Sequence, residues 1–217
     1  SQIANEDWGC IGVGIGFASN VNIKHNERVD APYSAISLGW GWISTQNIMH
    51  DNHIEYNHIN GFSVHMRDCG GIYTLSPQPN SSINGNYIEK PGDPEFCPLM
   101  WDMKSAQFDI YTDEGTDYYT VSDNWCSGNI SKNKNGGHNT WGENSMNVSD
   151  AIRENAGLEE AYKEIVNKVT EPTYAPVDSI GDKVNANRDQ IDYISQNDGF
   201  KLGDVVAVDL NNDNLRD

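Results

Sequence analysis

The chain has 217 residues, with 14 lysines and arginines against 32 aspartates and glutamates, a formal net charge of −18. That balance excludes nucleic acid and anionic membrane as partners, because a phosphate-binding surface needs concentrated positive charge and no segment supplies it. No apolar run approaches the roughly eighteen residues that a bilayer span requires.

Read from the N-terminus, SQIANEDWG shows no capping pattern, which predicts a piece of something longer, with further domains of the same parent chain as neighbours. From residue 9, short β-branched strands recur around asparagines. Aligned on one asparagine each, they read Ile23-x-x-Asn26, Met49-x-x-Asn52-x-Ile54, Ile83-x-x-Asn86-x-Ile88 and Val121-x-x-Asn124-x-Cys126, at spacings of 26, 34 and 38 residues. Asn tolerates the left-handed backbone of a tight turn, and its amide can bond the equivalent amide in the next layer. A second series, Ile15, Ile36, Ile72 and Ile110, advances by 21, 36 and 38 residues. Two markers moving together predict an all-β parallel β-helix over 1–146, with a β-sandwich as the alternative.

Within that stretch, the proline-rich loop from Pro91 to Gln107 is expected to pack as a structured flap. From Asn147 the period becomes helical: Ser149 or Asn147 can cap, and Leu158, Tyr162, Ile165 and Val169 follow at helical spacing. A helical cap over 147–170, split by Gly157 into a short turn and a main helix of about a dozen residues, is therefore predicted, then a polar extension over 171–217. In that extension Asp209, Asn211 and Asp213 alternate as in a calcium loop, although Asn214 replaces the usual glycine and a polar turn fits equally well. Apart from that possible structural calcium, no cofactor is implied.

The four cysteines, Cys10, Cys69, Cys97 and Cys126, lack the paired spacing of a zinc site, and their even number permits two disulfides. Three sequons, at Asn80, Asn129 and Asn147, fit a secreted or extracellular glycoprotein.

Chemistry on an exposed sheet suits polymers, so the expected partner is a poly- or oligosaccharide. The candidate catalytic carboxylates are Asp68, in HMRDCGG, and Asp113 with Glu114, in YTDEGT. If the two D-x-G units stack, the aspartates lie roughly 5 Å apart, a separation suited to retaining glycoside hydrolysis. If Ile72-Tyr-Thr stacks on Ile110-Tyr-Thr instead, about 23 Å of extended chain separates them. Trp40 and Trp42 in LGWGW, with Tyr73 and Tyr111 at matching strand positions, offer flat rings for sugar faces, and His65 and Arg67 stand beside Asp68 as further sugar contacts. The competing functions are a non-catalytic glycan-binding or structural protein, and a polysaccharide lyase. The lyase needs a basic residue, for which Arg67 is the candidate.

The segments PYSAISLGWGW, NIMHDNHIEYNHI, MRDCGGIYTLSPQPNSSINGNYIE and NAGLEEAY resemble the right-handed parallel β-helix proteins of gut and soil microbes, a group that includes secreted glycoside hydrolases acting on fucosides, xylosides and galactosides. The resemblance covers residues 9–170. It implies a right-handed solenoid and an acidic pair at the strand ends, mapping to Asp68 and to Asp113 or Glu114. Cys69 departs from the small residue usual after that aspartate.

Overall fold

A computed structural model describes residues 9–92 and 106–164. Short strands follow one another in sets of three: β1 (Val13–Ile15), β2 (Asn22–Lys24) and β3 (Glu27–Val29); β4 (Ile36–Leu38), β5 (His53–Glu55) and β6 (His58–Phe62); β7 (Cys69–Thr74), β8 (Pro77–Asn84) and β9 (Tyr87–Pro91); β10 (Gln107–Thr112), β11 (Asp117–Ser122) and β12 (Trp125–Cys126); then β13 (Ile130–Lys132) and β14 (Thr140–Trp141). Each strand pairs in parallel with the one three places on. The result is three sheets, β1-β4-β7-β10-β13, β2-β5-β8-β11-β14 and β3-β6-β9-β12.

This arrangement corrects the expected fold class. In place of a right-handed β-helix with a C-terminal α-helix over 147–170, the described residues hold three sheets of five, five and four parallel strands and almost no helix. The sequence markers report which strands pair; they carry no information on hand or on how the sheets are disposed. The helix stops for a tertiary reason. Ser149 caps it as expected, its Oγ accepting from Ala151 N at 3.3 Å, but α1 runs only Asp150–Asn155 before Ala156 turns extended at ψ 153°. Gly157 then takes φ +87° and donates its N–H to Tyr56 O at 2.8 Å, while its carbonyl meets His25 Nδ1 at 3.2 Å. Backbone groups that would continue the helix are bonded elsewhere, and among the described residues a 3-10 turn, Glu160–Tyr162, follows, with residues 163 and 164 helical after it. Ile165, Val169, the flap residues 93–105 and the extension 171–217 lie outside the described residues.

The core consists of inward rows set by strand register. One runs Val13–Ile36–Ile72–Ile110–Ile130, a second Ile23–Ile54–Ile83–Val121–Trp141, and a third Arg28–Ile59–Ile88–Cys126. The first row keeps Ile36, Ile72 and Ile110 as read from sequence, with Val13 in place of Ile15. Cys10, Cys69 and Cys126 form no disulfide with one another, which corrects the expectation of one among them. Cys69 and Cys126 are buried on strands of different sheets, packed within the apolar cluster. Cys97 lies outside the described residues.

An asparagine ladder runs along the turn between the second and third sheets: Asn26, Asn57, Asn86, Asn124 and Asn144. Each backbone N–H and each side-chain Nδ2 donates to Oδ1 of the next asparagine, at 2.6–3.3 Å. Asn57 therefore occupies the rung expected for Asn52. Asn52 has a separate task, accepting from Val21 N at 3.0 Å and donating to Gln78 Oε1 at 2.8 Å. Replacing fully buried Asn86 by Ala removes the side-chain acceptor of the Asn57 N–H and the donor to the Ile54 carbonyl, while the Asn57 amide keeps its bonds to the Ile23 and Glu55 carbonyls. We expect Asn86→Ala to cost about 2–4 kcal/mol, read as a lower urea midpoint at unchanged slope. A change under about 0.5 kcal/mol means the ladder contributes no net stability.

Candidate active site

The strands of the first sheet end side by side, with Leu38, Thr74 and Thr112 in register. Asp113 follows Thr112 at this edge and is only 7% exposed. Its backbone N–H donates to Thr74 O at 2.9 Å. Its carboxylate is gripped from both neighbouring strands: Tyr73 Oη of β7 donates to Oδ2 at 2.6 Å, and Asn133 Nδ2, just past β13, donates to Oδ1 at 2.6 Å. Two charge-assisted bonds from opposite sides fix the orientation of a carboxylate.

The two tyrosines stack edge to face, with ring centroids 5.2 Å apart. The Tyr73 hydroxyl is pushed well above its ordinary range, first by burial and then by its hydrogen bond to Asp113 and that residue's charge. Tyr111 is pushed up likewise, by burial and then by the charges of Asp113 and Asp68. Both phenols therefore stay protonated, available as donors.

Asp68 precedes β7, at the opposite end of that strand, and is coupled to Asp113 through charge and to the Tyr111 hydroxyl. It sits at φ +61° in the left-handed region, its N–H donating to Ala106 O at 2.7 Å and its carbonyl accepting from Tyr33 Oη at 2.6 Å. Burial, and next the charge on Asp113, raise its carboxyl above the ordinary aspartate range, with the Tyr111 hydroxyl opposing. Tyr111 is thus the shared neighbour of both acids.

The observed register stacks Ile72-Tyr73-Thr74 on Ile110-Tyr111-Thr112, so the D-x-G units do not stack. A straight strand in that register would hold the acids about 23 Å apart. The strand is not straight. Pairing skips Gly71 opposite Asp109, and a Cβ on Gly70 would strike the carbonyl of Ile72, so the backbone is locally distorted there while the register on either side stays the same.

Glu114 is directed elsewhere, into an ion pair with Lys134. Trp40 and Trp42 stand exposed at the end of β4, ring centroids 4.8 Å apart, and Trp42 reaches the Tyr73 hydroxyl. Gly39, at φ +106°, is required here because a side chain would collide with the Leu75 carbonyl. His65 and Arg67 lie on the turn leading to Asp68, where the His65 N–H donates to Pro32 O at 2.9 Å. Asn133 is absent from the sequence-based set, although extending the isoleucine row to Ile130 would have set it level with Asp113. Among the described residues no group of three His, Cys, Asp or Glu side chains is placed to hold a metal ion, and Asp209, Asn211 and Asp213 lie outside them.

One carboxyl with raised proton affinity beside a second held by two donors is an arrangement that can serve as proton donor and as nucleophile or base. No family model and no curated protein matches the chain. A solved structure titled "Glycoside hydrolase" does, with a TM-score of 0.69 and 41% identity over 75% of this chain. The chain spans about a quarter of that structure's length, 26%. Its fold is therefore glycoside hydrolase-like over the matched part.

Proposed function

We propose that the protein hydrolyses glycosidic bonds in a complex glycan, with Asp68 as the proton donor and Asp113 as the carboxylate facing the anomeric carbon. The observation that carries this reading is the coupling of Asp68 to Asp113 around the Tyr111 hydroxyl, at the edge where Trp40 and Trp42 are exposed. Asp68 gives its proton to the departing oxygen, so the leaving group departs as an alcohol. Asp113 then either bonds to the sugar or deprotonates an attacking water, and the anomer of the first product formed separates the two. The solved glycoside hydrolase similar to this chain supports the same class of chemistry. A secreted or extracellular location belongs to this reading, and the three sequon asparagines, Asn80, Asn129 and Asn147, are all exposed.

Aryl fucosides, xylosides and galactosides offered to the protein test it. Release of the phenol from at least one is the expected outcome, with the loss on replacing Asp68 by Asn largest for the most basic phenol. No release from the whole panel, with glycan binding retained, would leave a non-catalytic glycan-binding protein.

A further inference from the structure

We infer that the exposed aromatic surface beside Asp113 is an extended binding strip for a neutral oligosaccharide, running from Asp113 across Trp42 and Trp40 to Phe17. The inference rests on the hydrolase reading for its starting point, and its test separates the two.

Strand register sets the path. Thr112, Thr74, Leu38 and Ile15 lie in line across the sheet, one strand spacing of about 4.8 Å per step. Asp113 follows the first of these, Trp40 and Trp42 follow the third, and Phe17 follows the fourth. Gly39 N donates to Ile15 O at 2.9 Å, which ties the start of the Trp40 loop to the end of β1. Phe17, Trp40, Trp42 and Ile43 are 53%, 54%, 46% and 42% exposed. Several large apolar side chains left in water along one edge mark a binding surface.

The rings are held in place by backbone. Ser76 Oγ donates to Trp40 O at 3.0 Å and accepts from Ile43 N at 3.3 Å, which anchors the loop to the turn beside Asp113. Trp42 itself adopts φ +44°, a left-handed conformation that a bulky residue rarely takes, and its side chain reaches Tyr73, the donor to Asp113. The strip is therefore continuous with the candidate active site. A monosaccharide seated at Asp113 cannot reach Phe17, three strand steps or about 14 Å away. An occupant that uses all the rings has several sugar units.

Charge selects the class. The ionised groups at this edge are Asp113 and Glu114, and Lys134 is already paired with Glu114. Arg67 precedes β7, at the far end of that strand from the strip. Uronate chains would meet carboxylates, whereas neutral sugars present the C–H faces that stack on uncharged rings.

Calorimetric titration of the Asp68→Asn protein with xylo- and galacto-oligosaccharides of one to four units, and with galacturonate oligomers, tests the strip. The expected result is that Kd falls about tenfold or more from one to three neutral units, that Trp40→Ala removes this fall, and that Trp40→Tyr, which keeps a ring, restores most of it. Phe17→Ala should remove only the last step of the gain. Affinity independent of length, no effect of Trp40→Ala in a protein with an unchanged melting curve, no binding of either neutral series, or galacturonates bound as tightly as neutral chains would each overturn it. Turnover of the same oligosaccharides by the unmutated protein reports on the hydrolase separately. Length-dependent binding without turnover removes the hydrolase and keeps the strip.

Discussion

Asp68→Asn is expected to lower kcat by about 10²–10⁴-fold on a glycoside with an alcohol leaving group, because the amide cannot donate a proton. The loss should shrink as the leaving group improves, since a phenolate of low basicity departs without protonation. Folding should survive. Asn is nearly isosteric with Asp, the backbone bonds of residue 68 to Ala106 and Tyr33 do not use its side chain, and the substitution removes a repulsion with Asp113. The pH profile is an independent readout. Burial and the charge of Asp113 raise the Asp68 carboxyl, so its protonated form persists above the ordinary aspartate range and kcat/KM falls as pH rises through that raised value. In the Asn variant that limb should vanish. Equal losses for good and poor leaving groups, with the limb retained, would take the proton-donor role away from Asp68.

Much of this site is legible in the sequence because β-strand pairing obeys a register. Once Ile36, Ile72 and Ile110 are seen as one row, Tyr73 must face Tyr111, and Asp113 must lie beyond the end of β7. What the register alone misleads about is Asp68. It is coupled to Asp113 by charge and to the Tyr111 hydroxyl, which a count of residues along the strand does not reveal. The asparagine ladder shows a different limit. Ile54-x-x-Asn57-x-Ile59 fits the repeat pattern as well as Met49-x-x-Asn52-x-Ile54 does, and only the pairing of Ile54 with Ile23 and Ile83 selects Asn57. In the helical cap the break at Gly157 is legible from the residue itself, whereas its bonds to Tyr56 and His25 are contacts no local pattern announces, and Ile165 and Val169 lie outside the described residues. Fold class suffers most, since pairing rules specify neighbours and leave the hand and the arrangement of the sheets open.

A second carboxyl, Asp109, lies away from this chemistry and should govern how stability depends on pH. It is 1% exposed; Oδ2 accepts from Gly128 N at 2.7 Å and from Ser127 Oγ at 3.5 Å, while Oδ1 has no hydrogen-bond partner among the described residues. Burial pushes its carboxyl up to about 6, outweighing the bonds from Gly128 and Ser127, and both burial and the Asp109 charge hold the neighbouring Cys126 thiol up in its protonated form. The folded protein therefore binds this proton more tightly than the unfolded chain, whose aspartates titrate near 3.9. Stability from this group is fully present below about pH 4, falls as pH rises to about 6, and above that the folded state carries a penalty of about 3 kcal/mol. Asp109→Asn mimics the protonated acid: its amide oxygen can still accept from Gly128, and no charge remains to be buried. We expect it to stabilise the protein at pH 7 by about 1–3 kcal/mol and to flatten the decline in urea midpoint between pH 4 and pH 6. A variant less stable than the parent at pH 7, with the decline intact, would mean that the ionised carboxylate is compensated in the folded state and that its unpaired oxygen carries no such penalty.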